Sequence, residues 1–154
     1  MKYFPRESFP HSKQRYIEYD EYYDKIRPQL PDEIKTITNY FGMHDCGIVA
    51  SYFIGKDFRL ELNTSTSERY IVDTSPGVDP ESDDRYRTIK NITFTNAKIL
   101  EGDADLGDFW WLYEEIHILP DSYELHVFFG KFINDDLAEL TITFDSVILE
   151  LLED

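Results

Sequence analysis

Apolar residues in the first 41 positions recur at the spacing of an amphipathic helix. The residues that would share one face of this helix are Tyr16, Tyr19, Tyr23 and Ile26. Ser12 is placed to cap the helix, and Pro28 ends it, because a residue before proline is pushed away from helical angles. A second helix is predicted from Pro31 to Gly42, where glycine can adopt the left-handed turn after a helix. The two helices form a hairpin with one apolar side.

From Cys46 onward the apolar period changes from 3.6 to 2, which indicates β-strands. The predicted strands are residues 48–54, 58–62, 70–73, 89–101, 109–119, 122–130 and 137–149, with an exposed loop at 75–85. Strands joined by short connections pair antiparallel, since parallel pairing needs a long crossover. The sequence therefore predicts one α+β domain over residues 1–154. Its N-terminal helical hairpin (residues 1–42) packs on an antiparallel meandering β-sheet of about six or seven strands (residues 43–154).

The turn at Pro120-Asp121 predicts the register of two strands. A turn centred there makes the apolar cross-strand pairs Ile116–Leu125, Ile118–Tyr123 and Leu112–Phe129. A register shifted by one residue would place His126 among isoleucines, at the cost of burying a polar group. The opposite face then carries Trp111, Tyr113, Glu115, His117, Glu124, His126 and Phe128.

On that face Glu115 lies across from His126, and His117 lies across from Glu124. A carboxylate can hold an imidazole in one tautomer, so such pairs can move protons or bind a metal. The alternative is that they are ordinary cross-strand pairs that stabilise a surface. The aromatic residues of the face are expected to form an exposed contact patch and are Trp111, Tyr113 and Phe128.

His44 and Asp45, between the second helix and the first strand, are a second candidate binding site. Adjacent His and Asp residues occur in metal-dependent phosphohydrolases, but the other histidines lack a matching helical spacing. The alternative is that His44 or Asp45 ties the helix end to the sheet through local hydrogen bonds. A calcium loop at Asp103, Asp105 and Glu114 fails at its glycine position, which is Asp108. No metal or cofactor is expected.

The net charge of −16 is concentrated at the C-terminal end of the chain. Residues 1–41 carry seven acids and seven bases, residues 42–99 carry nine and seven, and residues 100–154 carry fifteen acids and one base. The three balances are therefore 0, −2 and −14. A field of one sign speeds association with opposite charge, whereas nucleic-acid binding needs clustered Lys and Arg. A basic protein partner is favoured and nucleic acid is disfavoured.

Several function classes lack their signatures. The common nucleotide, zinc and serine-hydrolase motifs are absent. The single cysteine, Cys46, allows no intramolecular disulfide, and neither a signal peptide nor a membrane span is legible. A cytoplasmic protein is expected, and its oligomeric state is left open.

Four segments carry a resemblance to a known family: MKYF, YIEYDEYYDKIRPQLPDEI, MHDCGI and FWWLYEEI. Together they resemble a family of small bacterial proteins classed as a domain of unknown function. The likeness covers most of the chain in scattered pieces, and none of them is a catalytic signature. It implies a bacterial, cytoplasmic protein of about this length, and it carries over no functional residue.

These observations favour a noncatalytic, acidic interaction protein that binds a basic protein partner. Bacterial immunity proteins, which neutralise basic toxins, are similar in size, acidity and α+β content, so that role is the sharpest form of the hypothesis. The alternative is a hydrolase-type enzyme or a small-ligand binder that uses the Glu, His and aromatic side chains of the sheet face.

Overall fold

The computed structural model describes residues 2–3, 12–38, 43–63, 89–131 and 136–151. The helical part contains α1 (Lys13–Ile26), a 3-10 turn (Arg27–Gln29) and α2 (Asp32–Thr38). Neither described helix has the length and apolar character needed to cross a membrane. The predicted strand at 70–73, the predicted loop at 75–85 and the helix end at Gly42 lie outside the described residues.

Helix α1 begins as the sequence predicts. The side chain of Ser12 accepts a hydrogen bond from the backbone N–H of Arg15 at 3.4 Å, which satisfies a donor that has no partner within the helix. Tyr19 and Tyr23 are buried on the predicted face. The predicted helical hairpin is matched in part, because the 3-10 turn joins two helices of unequal length. The Tyr23 hydroxyl links them through a 2.9 Å hydrogen bond with Thr38 Oγ1.

The described strands number eight and all pair antiparallel. They are β1 (Gly47–Ile54), β2 (Asp57–Asn63), β3 (Ile89–Thr95), β4 (Lys98–Gly102), β5 (Trp110–Ile118), β6 (Tyr123–Gly130), β7 (Leu137–Phe144) and β8 (Ser146–Leu151). Their order in the sheet is β4-β7-β6-β5-β1-β2-β3-β8. The antiparallel sheet and the α+β class are thus as the sequence predicts.

Of the seven predicted strand ranges, residues 70–73 lie outside the described residues, and the other six became eight because two of them bend. The predicted strand 89–101 is divided at Asn96, which has a φ of 45°, and the predicted strand 137–149 is divided at Asp145. Register continues unchanged from the β3–β8 pair Thr95–Ser146 to the β4–β7 pair Lys98–Thr143. The two halves are therefore one bent ribbon. On one side of this ribbon β3 pairs with β2, and on the other side β7 pairs with β6. The sheet therefore curls, because its two end strands, β4 and β8, both belong to the same ribbon.

The helices lie where β5 loses its strand neighbour. The ladder between β1 and β5 contains one residue pair, Gly47–Trp110, and beyond it α1 and α2 contact β5. The hydroxyls of Tyr19 and Tyr22 bind the backbone groups of β5 that have no strand partner there. The N–H of Ile116 donates to the Tyr19 hydroxyl at 3.1 Å, and the Tyr22 hydroxyl donates to the carbonyl of Ile116 at 3.0 Å. Unpaired strand edges need such cover.

One hydrophobic core fills the curled sheet and extends under the helices. Its largest fully buried members from the sheet are Trp111, Phe58, Phe94, Phe129 and Phe144. Helix α2 contributes Ile34 and Ile37, which are also fully buried. Each such side chain contributes roughly 1.5–3 kcal/mol through removal of apolar surface from water.

The predicted register of the β5–β6 hairpin is confirmed near the turn and wrong at its far end. Ile116 pairs with Leu125 and Ile118 with Tyr123, as the sequence predicts. The structure pairs Phe129 with Trp111 instead of Leu112, because Leu112 is an extra residue in a β-bulge. The bulge moves Trp111 to the face opposite Tyr113.

Candidate functional site

The predicted aromatic contact patch is wrong. Trp111 is fully buried in the core, where its ring lies 5.8 Å from that of Phe129. Phe128 is also fully buried. It lies on the other face of the sheet from Trp111, the same face as its cross-strand partner Tyr113. Tyr113 itself is half-buried between the rings of Tyr16, at 5.5 Å, and His44, at 5.9 Å. Helix α1 covers this part of the face.

A buried carboxylate lies at the centre of the Glu and His face. Glu115 has a relative exposure of 0%, and its two oxygens accept hydrogen bonds from the backbone N–H groups of Lys2, at 3.0 Å, and Tyr3, at 2.6 Å. The carbonyl of Tyr3 accepts a 3.2 Å hydrogen bond from the guanidinium of Arg15. Residues 2–3 are thereby held against β5 and α1.

His117 joins Glu115 to helix α1. Its Nε2 lies 3.2 Å from Oε2 of Glu115, and its Nδ1 lies 3.0 Å from the Tyr22 hydroxyl. The Tyr22 and His117 rings are also in contact, with centroids 5.4 Å apart. The imidazole is therefore held between a carboxylate and a hydroxyl, an arrangement that orients the ring.

His126 repeats this arrangement on the neighbouring strand. Its Nε2 lies 2.7 Å from Oε1 of Glu124, and its Nδ1 lies 3.2 Å from Oγ1 of Thr141 on β7. The His126 and His117 rings meet edge to face at 5.8 Å. Two carboxylate–imidazole–hydroxyl groups thus lie side by side.

The backbone pairs Glu115–His126 and His117–Glu124 are present as predicted. Their side chains, however, make the closest contacts within a strand, Glu115 with His117 and Glu124 with His126. Residues two apart on a strand share one face. Each imidazole can therefore contact either the glutamate across from it or the glutamate two residues before it on its own strand. The backbone N–H groups of residues 2–3 bind the Glu115 carboxylate and cover it, so the interpretation of these pairs as surface stabilisers is wrong for Glu115.

A hydroxyl beside an oriented imidazole is the arrangement of a nucleophile and its base. The two hydroxyls differ in how well they fit this role. Burial, followed by electrostatic repulsion from Glu115 and from Tyr3 once it ionises, raises the pKa of Tyr22 to about 12, and its hydroxyl also donates to the Ile116 carbonyl. Thr141 is 6% exposed on the middle of a strand. The geometry therefore disfavours Tyr22 as a nucleophile and leaves Thr141, whose Oγ1 lies 3.2 Å from His126 Nδ1, as the candidate.

His44 and Asp45 tie the turn before β1 to the bulge of β5. His44 Nδ1 lies 2.8 Å from the carbonyl of Leu112, and the backbone N–H of Asp45 donates to the carbonyl of Trp111 at 2.8 Å. Asp45 has a φ of 61°, and its carboxylate lies 3.6 Å from His44 Nε2. These are the local hydrogen bonds that the sequence offered as the alternative to a metal site.

Glu114 is a residue whose position the sequence analysis missed. It faces the interior, where its Oε2 accepts a 3.0 Å hydrogen bond from the indole N–H of Trp111. Burial raises the pKa of Glu114 to about 8, against the opposing effect of that hydrogen bond. The signal was present, because successive residues of a strand alternate faces and Glu114-Glu115 cannot both point outward.

Exposed acids are concentrated between the end of β4 and the start of β5. We call residues 101–108 the acidic segment, and its exposed carboxylates are Glu101, Asp103, Asp105 and Asp108. The Asp103 carboxylate accepts the N–H of Asp105 at 3.1 Å, and that of Asp105 accepts the N–H of Gly107 at 3.4 Å. Within the described residues no three His, Cys, Asp or Glu side chains converge to hold a metal ion.

Comparisons with known proteins give no further guide: no family model, no curated protein and no solved structure matches the chain. The resemblance to a family of small bacterial proteins therefore stays a prediction.

Proposed function

We propose that this protein is a noncatalytic, acidic interaction protein that binds a basic protein partner through its acidic segment. The observation that carries the proposal is four exposed carboxylates within eight residues on a fixed stretch of backbone. Charge of one sign on a surface steers an oppositely charged partner and excludes like-charged ones.

The acidic segment is held in place by β1. The Ser51 hydroxyl donates to the carbonyl of Ala104 and accepts the N–H of Leu106 at 2.8 Å. Leu106 is fully buried beneath the segment, and the N–H of Asp108 donates to the carbonyl of Ile48 at 3.0 Å. A partner would therefore meet carboxylates whose backbone needs little ordering on binding, which lowers the entropic cost of association.

Positive charge is sparse along this part of the sequence. Lys131 is the single base among residues 100–154. Its ammonium lies 4.6 Å from the centre of the Phe109 ring, and the residue is half-buried. Within the described residues, no Lys, Arg or His lies at ion-pair distance from the carboxylates of the acidic segment. The sharpest form of the proposal is an immunity-type role, in which the partner is a basic toxin of the same cell.

Charge reversal at two matched positions tests the proposal. Glu101→Lys changes the acidic segment, whereas Asp121→Lys makes the same change in net charge at the exposed β5–β6 turn. Binding to cytochrome c, a small basic protein, is measured by stopped-flow at low ionic strength. We expect Glu101→Lys to slow association roughly tenfold and Asp121→Lys to slow it far less.

Two results would contradict the proposal. Equal slowing by both variants would mean that net charge acts alone and no surface is preferred. Association that is unchanged between low and high ionic strength would remove electrostatic steering, since exposed charges are screened within about 8 Å at physiological salt.

A second candidate function is a hydrolase, favoured by the two carboxylate–imidazole–hydroxyl groups. His126 would act as a general base toward the Thr141 hydroxyl, with Glu124 orienting the imidazole. Turnover of a p-nitrophenyl ester by the native protein is compared with that of His126→Gln. Equal rates would exclude this role for His126.

A further inference from the structure

The two imidazoles of the Glu and His face differ in what binds their Nδ1 atoms. In each ring Nε2 lies beside the carboxylate two residues earlier in the chain, at 3.2 Å for His117 and 2.7 Å for His126. A carboxylate can only accept, so Nε2 carries a hydrogen in both rings. Nδ1 of His117 lies 3.0 Å from the Tyr22 hydroxyl, and Nδ1 of His126 lies 3.2 Å from the Thr141 hydroxyl. The difference between the two histidines is therefore at Nδ1.

The Tyr22 hydroxyl has one hydrogen, and the carbonyl of Ile116 receives it. This carbonyl lies 3.0 Å from the hydroxyl oxygen. Ile116 is fully buried, so its carbonyl would otherwise lose a hydrogen bond that water cannot replace. Burial also raises the pKa of Tyr22 to about 12, so the hydroxyl keeps its hydrogen at neutral pH. The Tyr22 oxygen can then only accept from His117, and Nδ1 of His117 carries a hydrogen as well as Nε2.

The Thr141 hydroxyl has no second hydrogen-bond partner among the described residues. It can donate its hydrogen to Nδ1 of His126, so a neutral ring with its hydrogen on Nε2 satisfies both neighbours. The rings of His117 and His126 lie edge to face with centroids 5.8 Å apart, and two positive charges at that distance repel each other. The pair therefore accommodates one charged and one neutral imidazole.

We propose that His117 is a positively charged imidazolium in the folded protein at neutral pH, that His126 is neutral, and that the charge on His117 fastens residues 2–3 to β5. The link is the Glu115 carboxylate, which binds Nε2 of His117 and also accepts the two backbone N–H groups of residues 2–3. A hydrogen bond between charged groups is stronger than one between neutral groups. This inference goes beyond the proposed function and does not depend on the acidic segment.

The titratable and charged groups around His117 come from three elements and from residues 2–3. They are Glu115 on β5, Glu124 and His126 on β6, Tyr22 on α1, and Lys2 and Tyr3. Two of these groups are carboxylates, whereas the ammonium of Lys2 lies over the Tyr3 ring, 5.1 Å from its centre. The sign of the pH dependence follows. The attachment of residues 2–3 is complete while His117 holds both hydrogens, and it weakens as rising pH removes one of them.

Nitrogen chemical shifts of the imidazoles test the proposal, since NMR distinguishes a ring nitrogen that carries hydrogen from one that does not. The full chain is labelled with 15N-histidine and measured at pH 7. We expect hydrogen on both nitrogens of His117 and on Nε2 alone of His126. Tyr22→Phe removes the acceptor at Nδ1 and should make His117 neutral. Thr141→Val makes the matched change beside His126 and should leave both rings as they are.

A second measurement follows the attachment of residues 2–3. His117→Gln keeps a hydrogen-bonding side chain but cannot become charged. At pH 7 the amide hydrogens of Lys2 and Tyr3 should therefore exchange with solvent roughly tenfold faster in this variant than in the native protein. His126→Gln is the matched control on the neighbouring strand and should leave their exchange unchanged.

Each result decides one part of the proposal. A ring nitrogen without hydrogen on His117 in the native protein would overturn it, and this measurement needs no variant to fold. A charged His117 in Tyr22→Phe would overturn the role given to the Tyr22 oxygen. Unchanged amide exchange in His117→Gln would mean that the charge does not hold residues 2–3. None of these results bears on association with cytochrome c, so this proposal and the proposed function fail independently.

Discussion

The backbone N–H of Tyr3 donates a 2.6 Å hydrogen bond to Glu115, a residue 112 positions away in the sequence. The same carboxylate accepts the N–H of Lys2, and it lies 3.2 Å from an imidazole nitrogen of His117. The ring of Tyr3 stacks on that of Tyr22, with centroids 5.3 Å apart. A fully buried carboxylate is thereby satisfied by groups from two separate parts of the chain.

Replacement of Glu115 should destabilise the fold more than replacement of Glu124, the carboxylate that contacts the neighbouring imidazole. Glu115→Gln puts an amide NH2 where a second acceptor stood, so a buried donor loses its partner at a cost of about 1–3 kcal/mol. Glu124→Gln, whose side chain is 25% exposed, should cost less than about 1 kcal/mol because water can replace the lost interaction. Urea denaturation of both variants measures the difference, and equal losses would contradict the anchoring role of Glu115.

Glu114 makes stability depend on pH. Burial raises the pKa of Glu114 in the folded protein to about 8, whereas its ordinary value is 4.5. Below pH 4.5 both states are protonated and the full contribution to stability is present. As the pH rises to 8 the unfolded chain ionises first, so the free energy of unfolding falls.

The comparison that isolates this effect is Glu114→Gln, which cannot ionise. With a discount for partial exposure of the residue, the native protein should lose at least about 1 kcal/mol relative to this variant between pH 4.5 and 8. Glu101→Gln, at an exposed position, is the control and should follow the native curve. Parallel curves for Glu114→Gln and the native protein would mean that the carboxyl is already ionised in the fold.

The tyrosine hydroxyls along β5 should protect its edge. Tyr19→Phe removes the acceptor of the Ile116 N–H and should cost about 1–2 kcal/mol, because that donor is buried. Amide exchange at Ile116 should accelerate, which is measured by NMR. Tyr52→Phe removes a hydroxyl bonded to Glu61 at the surface and should cost under about 0.5 kcal/mol. Unchanged exchange at Ile116 in Tyr19→Phe would show that the hydroxyl does not shield this edge.

Two glycines with left-handed backbones differ in the space around them. A Cβ at Gly102, which has a φ of 98°, would clash with the carbonyl oxygen of Glu139, whereas a Cβ at Gly55, with a φ of 60°, meets nothing within 4 Å. Gly102→Ala should therefore cost more than about 3 kcal/mol, since β4 must move away from β7. Gly55→Ala carries only the backbone penalty of about 1–2 kcal/mol. Thermal unfolding that ranks the two in the opposite order would contradict the close approach at Gly102.

Local patterns predicted the elements that depend on local physics. The helix capped by Ser12 and the hairpin pairs Ile116–Leu125 and Ile118–Tyr123 follow from periodicity and turn position. The bulge at Leu112 could not be read in the same way, because Trp110, Trp111 and Leu112 are all apolar and either alternation fits them. His44 and Asp45, far away in sequence, supply the hydrogen bonds that the bulge leaves open.

The sequence by itself determined the acidic C-terminal third, the antiparallel pairing and the face that carries Glu115, His117, Glu124 and His126. The two-residue period of a strand decides which side chains share a face, and the order of residues along the chain decides where acidic residues accumulate. Only the tertiary structure decided that this face lies beneath α1 and residues 2–3, and that the acids of residues 101–108 are exposed. The reason is that burial depends on what packs against a face, and those contacts join residues about a hundred positions apart.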